Sequence, residues 1–452
     1  MEERKGFGSN FGFLMAAVGS AVGLGNIWGF PNKMGASGGF TFLIIYLILA
    51  VCCGFIVMVG ELAIGRKTGK GAVAAYHAIS KKFKWMGWMG ILSAFLILFF
   101  YCALGGYCIK YTVVNIGDLF NASFGSGAAA ELAAANDTSV GAEVFGAFLG
   151  NPTEAIIYGL IFVVLTMLIV MGGVSGGIEK FCGIGMPALF VMLLIVIIYV
   201  ACQPGAGGGY KFMFGWNLEP LKEDFLKVLK TAAGQMFFSL SLGMGAMITY
   251  GSYLKKQESI QKNAVIVVIC DTLVAIMAGM IVMPACYAFL GGETSSGPGL
   301  LFKSMQMVFH QMGYVGNIMG FLFYSLVFIA AISSSFSLLE VITSFKVDQN
   351  VAEGKAPGRK KYAILAACII FVFCLPTCLD GLGAGTNGGA TIGNPADVLG
   401  MHWAEAGDIS EFAEGTDYYV KGDDGIYTKL AADEAFVEGE TYYLNTARTW
   451  NG

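Results

Sequence analysis

The sequence predicts an all-α integral membrane protein, and three observations carry that reading. Of 452 residues, 56% are hydrophobic and 13% charged, a balance outside the range of soluble domains of this size. Apolar stretches of about 20 residues or more, the length that crosses a bilayer, recur along the first 380 positions. Between them lie connectors rich in glycine, proline or charge, which are turn material. The stretches fall near residues 11–36, 39–65, 86–112, 154–173, 178–201, 231–253, 263–290, 315–345 and 362–379, nine in all.

Taken in order, the first stretch follows Arg4 and Lys5, is too long for a cleaved signal peptide, and reads as the span that inserts first. The second is followed by Arg66, Lys67, Lys70, Lys81, Lys82 and Lys84, the sixth by Lys255, Lys256 and Lys262, and the ninth is preceded by Lys355, Arg359, Lys360 and Lys361. All fall on one side, which the positive-inside rule makes cytoplasmic, together with the N-terminus. Residues 118–153, without Lys or Arg, go to the other side. The fourth and fifth stretches are joined by GGVSGGIEK, read as a tight turn. Eleven scattered cysteines lack zinc-type spacing and read as buried thiols acting as small hydrophobes. Residues 1–380 form the core. Residues 391–452 hold twelve acidic against three basic residues, so 381–452 reads as an acidic, extracellular linker and tail. Its short Tyr/Val/Thr runs fit either a small β-rich module or a disordered appendage.

Two stretches are poor helices. GSAVGLGNIWGFP (19–31) puts four glycines and an asparagine inside the first, and GQMFFSLSLGMGAMITYGSY (234–253) puts Ser239, Ser241, Gly243 and Gly245 inside the sixth. In lipid, loosened backbone must find partners other than water, and broken spans offer carbonyls to cations and N–H groups to carboxylates. The alternative is that these glycines only permit close helix packing. Breaks five spans apart fit an inverted pair of five-helix repeats, the second incomplete in this chain. Asp271, in ICDTLVAIMAG, would cost ~2.5–3.5 kcal/mol on insertion scales unless it faces a partner or a cavity.

These two motifs, the turn GVSGGIEK and FIAAISSSFSLLEV (328–341) resemble the neurotransmitter:sodium symporter family, bacterial amino-acid transporter branch, in order and at matching spacing over residues 4–380. The resemblance implies a sodium-coupled symporter that imports a neutral, hydrophobic or aromatic amino acid by alternating access, in the plasma membrane. It implies two sodium sites. One takes the Ala21 carbonyl, Asn26, Ser239, Asp271 and the substrate's carboxylate; the other takes the carbonyls of Gly19, Val22 and Ala330 and the hydroxyls of Ser333 and Ser334. Relatives that need chloride carry a neutral residue at position 271, so chloride is not expected to be required. The substrate carboxylate would meet the N–H groups of Leu24 and Gly25 and the hydroxyl of Tyr101. Gly23 stands where carriers of amines without a carboxylate have an aspartate, which favours an α-amino acid. Ile97, Phe238, Ser241, Met244, Ser335 and Leu338 would line the side-chain pocket, with Ala21 and Ser239 also at the substrate. Phe238 matches the aromatic lid, and Arg4, Tyr253 and Asp348 match a cytoplasmic lock. Sodium, a neutral amino acid and the bilayer are the partners implied; nucleic acid is not.

The chain departs from the family in two places. Gly29 stands where an arginine pairs with an acid on a tenth span, and Lys33, a turn on, is the available cation. After Asp380 no further spanning stretch follows, which fits either a fragment or a relative that ends here. The latter leaves a rival reading, a transport-dead protein that binds or senses its amino acid. An enzyme is disfavoured: His77, His310 and His402 lie in connectors and span edges, and no nucleophile, base and orienting residue align.

Overall fold

A computed structural model describes residues 6–136, 138–292, 297–379, 381–383, 401–405, 418–421, 427–429, 437 and 441–447. Arg4 and most of the expected linker and tail therefore lie outside the described residues. Among those described, seven continuous helices are long and apolar enough to cross a membrane: Phe40–Thr68, Lys81–Leu119, Pro152–Met171, Val174–Ala201, Ile260–Phe289, Gly313–Ala352 and Arg359–Leu379. These are the second to fifth and seventh to ninth spans. The first is a bent pair, Asn10–Ala21 and Gly25–Ala36, meeting at 48°. The sixth is two short helices, Phe225–Ser239 and Ala246–Gly251, with non-helical backbone over residues 240–245.

Local chemistry explains both breaks. Ser9 caps the first helix by accepting from the Gly12 amide at 2.9 Å. The helix ends at Val22, whose ψ of 114° is extended. Helix then resumes with a wide turn over Gly25–Gly29 and with Pro31 in the opening turn of the next segment, where a missing N–H costs little. In the sixth span Ser241, Gly243 and Gly245 all take positive φ, at 53°, 80° and 76°. Two of the three are glycine, which adopts that region without steric cost.

Small residues set the packing. The third span lies along the eighth and the fourth, and a methyl group added at Gly105 would sit 2.4 Å from the Phe162 ring. Isoleucine, leucine and valine on the opposite faces, among them Ile56, Leu92, Ile157, Ile198 and Val372, are exposed, as a lipid-facing surface requires. Residues 118–153 are not a plain loop; they carry two short helices, Gly127–Asn136 and Val140–Leu149. The joint between the fourth and fifth spans is shorter than GGVSGGIEK suggests. Only Gly172 and Gly173 leave the helical path, Gly173 at φ 83°, and Val174–Ile178 already belongs to the fifth span as a wide turn. In the tail, β1 (Met401–Glu405), β2 (Tyr418–Lys421), β3 (Tyr427–Lys429) and β4 (Tyr442–Ala447) form one antiparallel sheet ordered β1-β4-β2-β3. Of the two tail readings, the described residues favour the β-rich one.

Candidate functional site

The two breaks meet. Asn26, fully buried just after the first break, accepts from the Gly23 amide at 2.9 Å and so folds the loosened backbone over its own side chain. Its amide nitrogen reaches the Ser239 hydroxyl at 2.9 Å and Asp271 Oδ1 at 2.7 Å. Ser239 in turn donates to Asp271 Oδ2 at 2.9 Å. First, sixth and seventh spans are thus joined through a buried cluster of oxygen-bearing groups around one carboxylate. Tyr46, from the second span, adds its hydroxyl at 3.4 Å from both Ser239 and Asp271.

A second cluster lies where the first break meets the eighth span. Ser334 donates to the carbonyls of Val22 at 3.0 Å and Ser20 at 3.2 Å, with Gly19 at 3.5 Å. Ser333 bonds the Ala330 carbonyl at 3.0 Å and approaches Val22 at 3.4 Å. Every residue expected of the second sodium site is in this group. No cluster of three or more His, Cys, Asp or Glu suited to a metal occurs among the described residues. The donors gathered at both places are instead carbonyls, hydroxyls, an amide and one carboxylate, the hard-oxygen set that suits an alkali cation rather than a transition metal.

Between the clusters lies a cavity walled by Ala21, Gly23, Gly25, Ile97, Tyr101, Phe238, Ser241, Met244, Ser334 and Leu338. Among the described residues, no charged side chain lines it. Its free volume is about 20 Å³, room for about one water molecule, because two side chains close on it. The Tyr101 hydroxyl accepts from the Leu24 amide at 3.0 Å. Phe238 packs on Gly25, where an added methyl would fall 2.8 Å from the ring.

Two residues expected at the substrate lie off the wall of this cavity. Ser335 is fully buried but turns away from the cavity to share a hydrogen bond with Thr166 of the fourth span at 2.8 Å, because one step along a helix rotates a side chain by about 100°; Ser334 takes the place on the wall. Ser239 is committed to Asn26 and Asp271 and contributes no lining surface. Of the expected lock residues, Tyr253 and Asp348 are held by partners that the motifs did not announce. Tyr253 donates to Glu340 at 2.6 Å, Glu340 pairs with Arg359, and Asp348 accepts from the Gly71 amide at 2.7 Å.

Some residues went unnoticed in the sequence although the signal was there. Glu61 and Glu340 are acids inside apolar spans, as Asp271 is, and both are buried. Glu61 accepts from the Gly243 amide at 2.7 Å and so holds the sixth-span break from the second span. Gln235 donates to the Gly25 carbonyl at 2.7 Å. Its side-chain oxygen would lie 3.2 Å from a methyl at Gly29, so the glutamine occupies the space beside the position where the family's arginine is missing.

Comparison with known proteins agrees with this arrangement. Residues 4–122 and 147–392 match the sodium:neurotransmitter symporter family. An uncharacterized sodium-dependent transporter of Bacillus subtilis, YhdH, is 33% identical over 379 residues, 82% of this chain and 78% of its own. One from Haemophilus influenzae is 32% identical over 369 residues, 78% of this chain and 77% of its own. The crystal structure of MhsT in complex with L-phenylalanine superposes with a TM-score of 0.74 at 37% identity, over 86% of this chain and 83% of MhsT. A matched chain of this extent, with both helix breaks facing each other across buried oxygen clusters, belongs to the sodium:neurotransmitter symporter family and is a multi-pass, sodium-dependent transporter.

Proposed function

We propose that the protein imports a neutral amino acid with an apolar or aromatic side chain, together with two sodium ions. The observation that carries this reading is the cavity between the breaks: backbone amides and Tyr101 at one end, Ile97, Phe238, Met244 and Leu338 around it, and no charged side chain to pair with a charged substrate side chain. A buried charge without a partner is strongly disfavoured. Methionine adapts to aliphatic and aromatic shapes alike. The complex of MhsT with L-phenylalanine supports the same substrate class.

In this mechanism the substrate carboxylate displaces the Tyr101 hydroxyl from the Leu24 amide and takes up bonds to both, along with the Gly25 amide. Phe238 swings off Gly25 to admit the side chain and returns as a lid. The first sodium sits among Asn26, the Ala21 carbonyl, Ser239, Asp271 and the substrate's carboxylate. For this the Asn26 amide turns its oxygen toward the ion and gives up the bond that this oxygen accepts from the Gly23 amide. The second sodium takes Gly19, Val22, Ala330, Ser333 and Ser334 in place of their present mutual hydrogen bonds. Sodium shifts the equilibrium toward the outward-open state by binding it more tightly. Asp271 supplies the compensating negative charge, so chloride is not required. The N-terminus faces the cytoplasm, the membrane is the plasma membrane, and Arg4, Tyr253 and Asp348 close the inner side.

Uptake of radiolabelled L-phenylalanine into proteoliposomes tests this. The expected result is accumulation that requires an inward sodium gradient and persists when chloride is replaced by gluconate. Sodium-dependent binding without accumulation would refute transport, and collapse of uptake in gluconate would refute the role given to Asp271.

A further inference from the structure

A second, larger cavity of about 170 Å³ lies beside the break in the sixth span and shares no wall residue with the central one. Glu61, Tyr76, Trp85, Met86, Met89 and Gly243 are among its walls. The Glu61 side chain is buried, the residue being 7% exposed, and its two oxygens differ. Oε1 accepts from the Gly243 amide at 2.7 Å, whereas Oε2 is buried with no hydrogen-bond partner among the described residues. Among the described residues, no Lys, Arg or His lines the cavity. The rest of the wall is aromatic rings, thioethers, glycine and the aliphatic Ala72 and Ile248.

We propose that this cavity binds a small primary ammonium with an apolar body, the ammonium on the Glu61 carboxylate and the body between Tyr76, Trp85 and Met89. A buried carboxylate oxygen without a donor is costly, and a charge-assisted hydrogen bond from an ammonium removes that cost. Aromatic faces attract the same cation, and methionine sulfur is polarizable enough to pack against a ring. Size narrows the choice. An apolar cavity of about 150 Å³ holds benzene, so this one suits a benzene-sized body with a one-carbon ammonium arm. The carboxylate that would hold the ammonium also holds Gly243, at φ 80° within the break. Occupancy therefore bears on the sixth-span hinge without entering the central cavity.

Benzylamine is the probe and benzyl alcohol its neutral counterpart, titrated calorimetrically at neutral pH into the full chain in nanodiscs of phosphatidylcholine alone, a lipid without a primary amine. Benzylamine is expected to bind, with benzyl alcohol weaker by about tenfold or more, the worth of a hydrogen bond to a charged group. Glu61→Gln keeps an acceptor for Gly243 and removes the charge; it should weaken benzylamine by a similar factor and leave benzyl alcohol unchanged. Trp85→Ala, at an exposed position away from the Glu61–Gly243 bond, should weaken both. Absence of benzylamine binding, equal affinity for amine and alcohol, or unchanged benzylamine affinity in both variants would overturn the proposal. Should Glu61→Gln fail to fold, the amine and alcohol pair together with Trp85→Ala still decides it.

Discussion

Replacing Gly23 by alanine tests the centre of the site with a single methyl group. The added Cβ would lie 2.4 Å from the Ser334 hydroxyl and 2.8 Å from the Tyr101 hydroxyl, with the Ser334 Cβ at 3.2 Å. Ordinary carbon contacts need about 3.5–4.0 Å, so Ser334 and Tyr101 must each retreat by roughly an ångström. Neither has slack. Ser334 is held by the Val22 carbonyl at 3.0 Å and Tyr101 by the Leu24 amide at 3.0 Å, so the methyl disturbs the second oxygen cluster and the carboxylate end of the cavity together. Overpacking of this kind costs about 1–3 kcal/mol. If that cost falls on the bound state, sodium and substrate affinity drop by about 5- to 150-fold. Sodium-dependent equilibrium binding of labelled phenylalanine, with sodium titrated at fixed substrate, reads both effects, and a thermal melt of the detergent-solubilised protein checks that the fold survives. A Gly23→Ala protein that melts like the parent and keeps both affinities within twofold would refute the reasoning.

Two further outcomes follow from the geometry. Ser334→Ala removes the hydroxyl shared by Val22, Ser20 and Gly19 and should raise the half-saturating sodium concentration about tenfold, whereas Ser335→Ala, whose hydroxyl serves Thr166, should leave it unchanged; sodium titration of uptake separates the two. Arg359→Ala strands the fully buried Glu340 carboxylate, with Tyr253 the one donor left to it among the described residues, and should destabilise the protein by about 3–5 kcal/mol, seen as a lower melting temperature that Glu340→Gln in the same chain partly restores.

Much of the fold was legible because lipid imposes a simple rule: a spanning segment must be long, apolar and internally hydrogen-bonded. That rule locates the seven continuous spans and the bent first one from composition alone, and it makes the exceptions conspicuous. Asp271 and the glycine and serine runs at 19–25 and 239–245 stood out as violations, and the structure brings them within hydrogen-bond reach of one another. Helix phase was less legible. Ser333, Ser334 and Ser335 are chemically alike in sequence, and only the direction of the eighth span assigns the first two to the Val22 carbonyl and the third to Thr166.

The sequence by itself determined that the chain crosses a membrane many times, that its first and sixth spans are interrupted, and that one carboxylate lies in the seventh. These follow from local composition, since hydropathy and backbone preference act over a few residues at a time. Only the tertiary structure decided which oxygens converge. It gave Glu61 to Gly243, Gln235 to the Gly25 carbonyl beside the bare Gly29, and Glu340 to Arg359 and Tyr253. Those partners are 182, 210, 19 and 87 positions apart, and what joins them is helix packing in three dimensions, which no local stretch of sequence encodes.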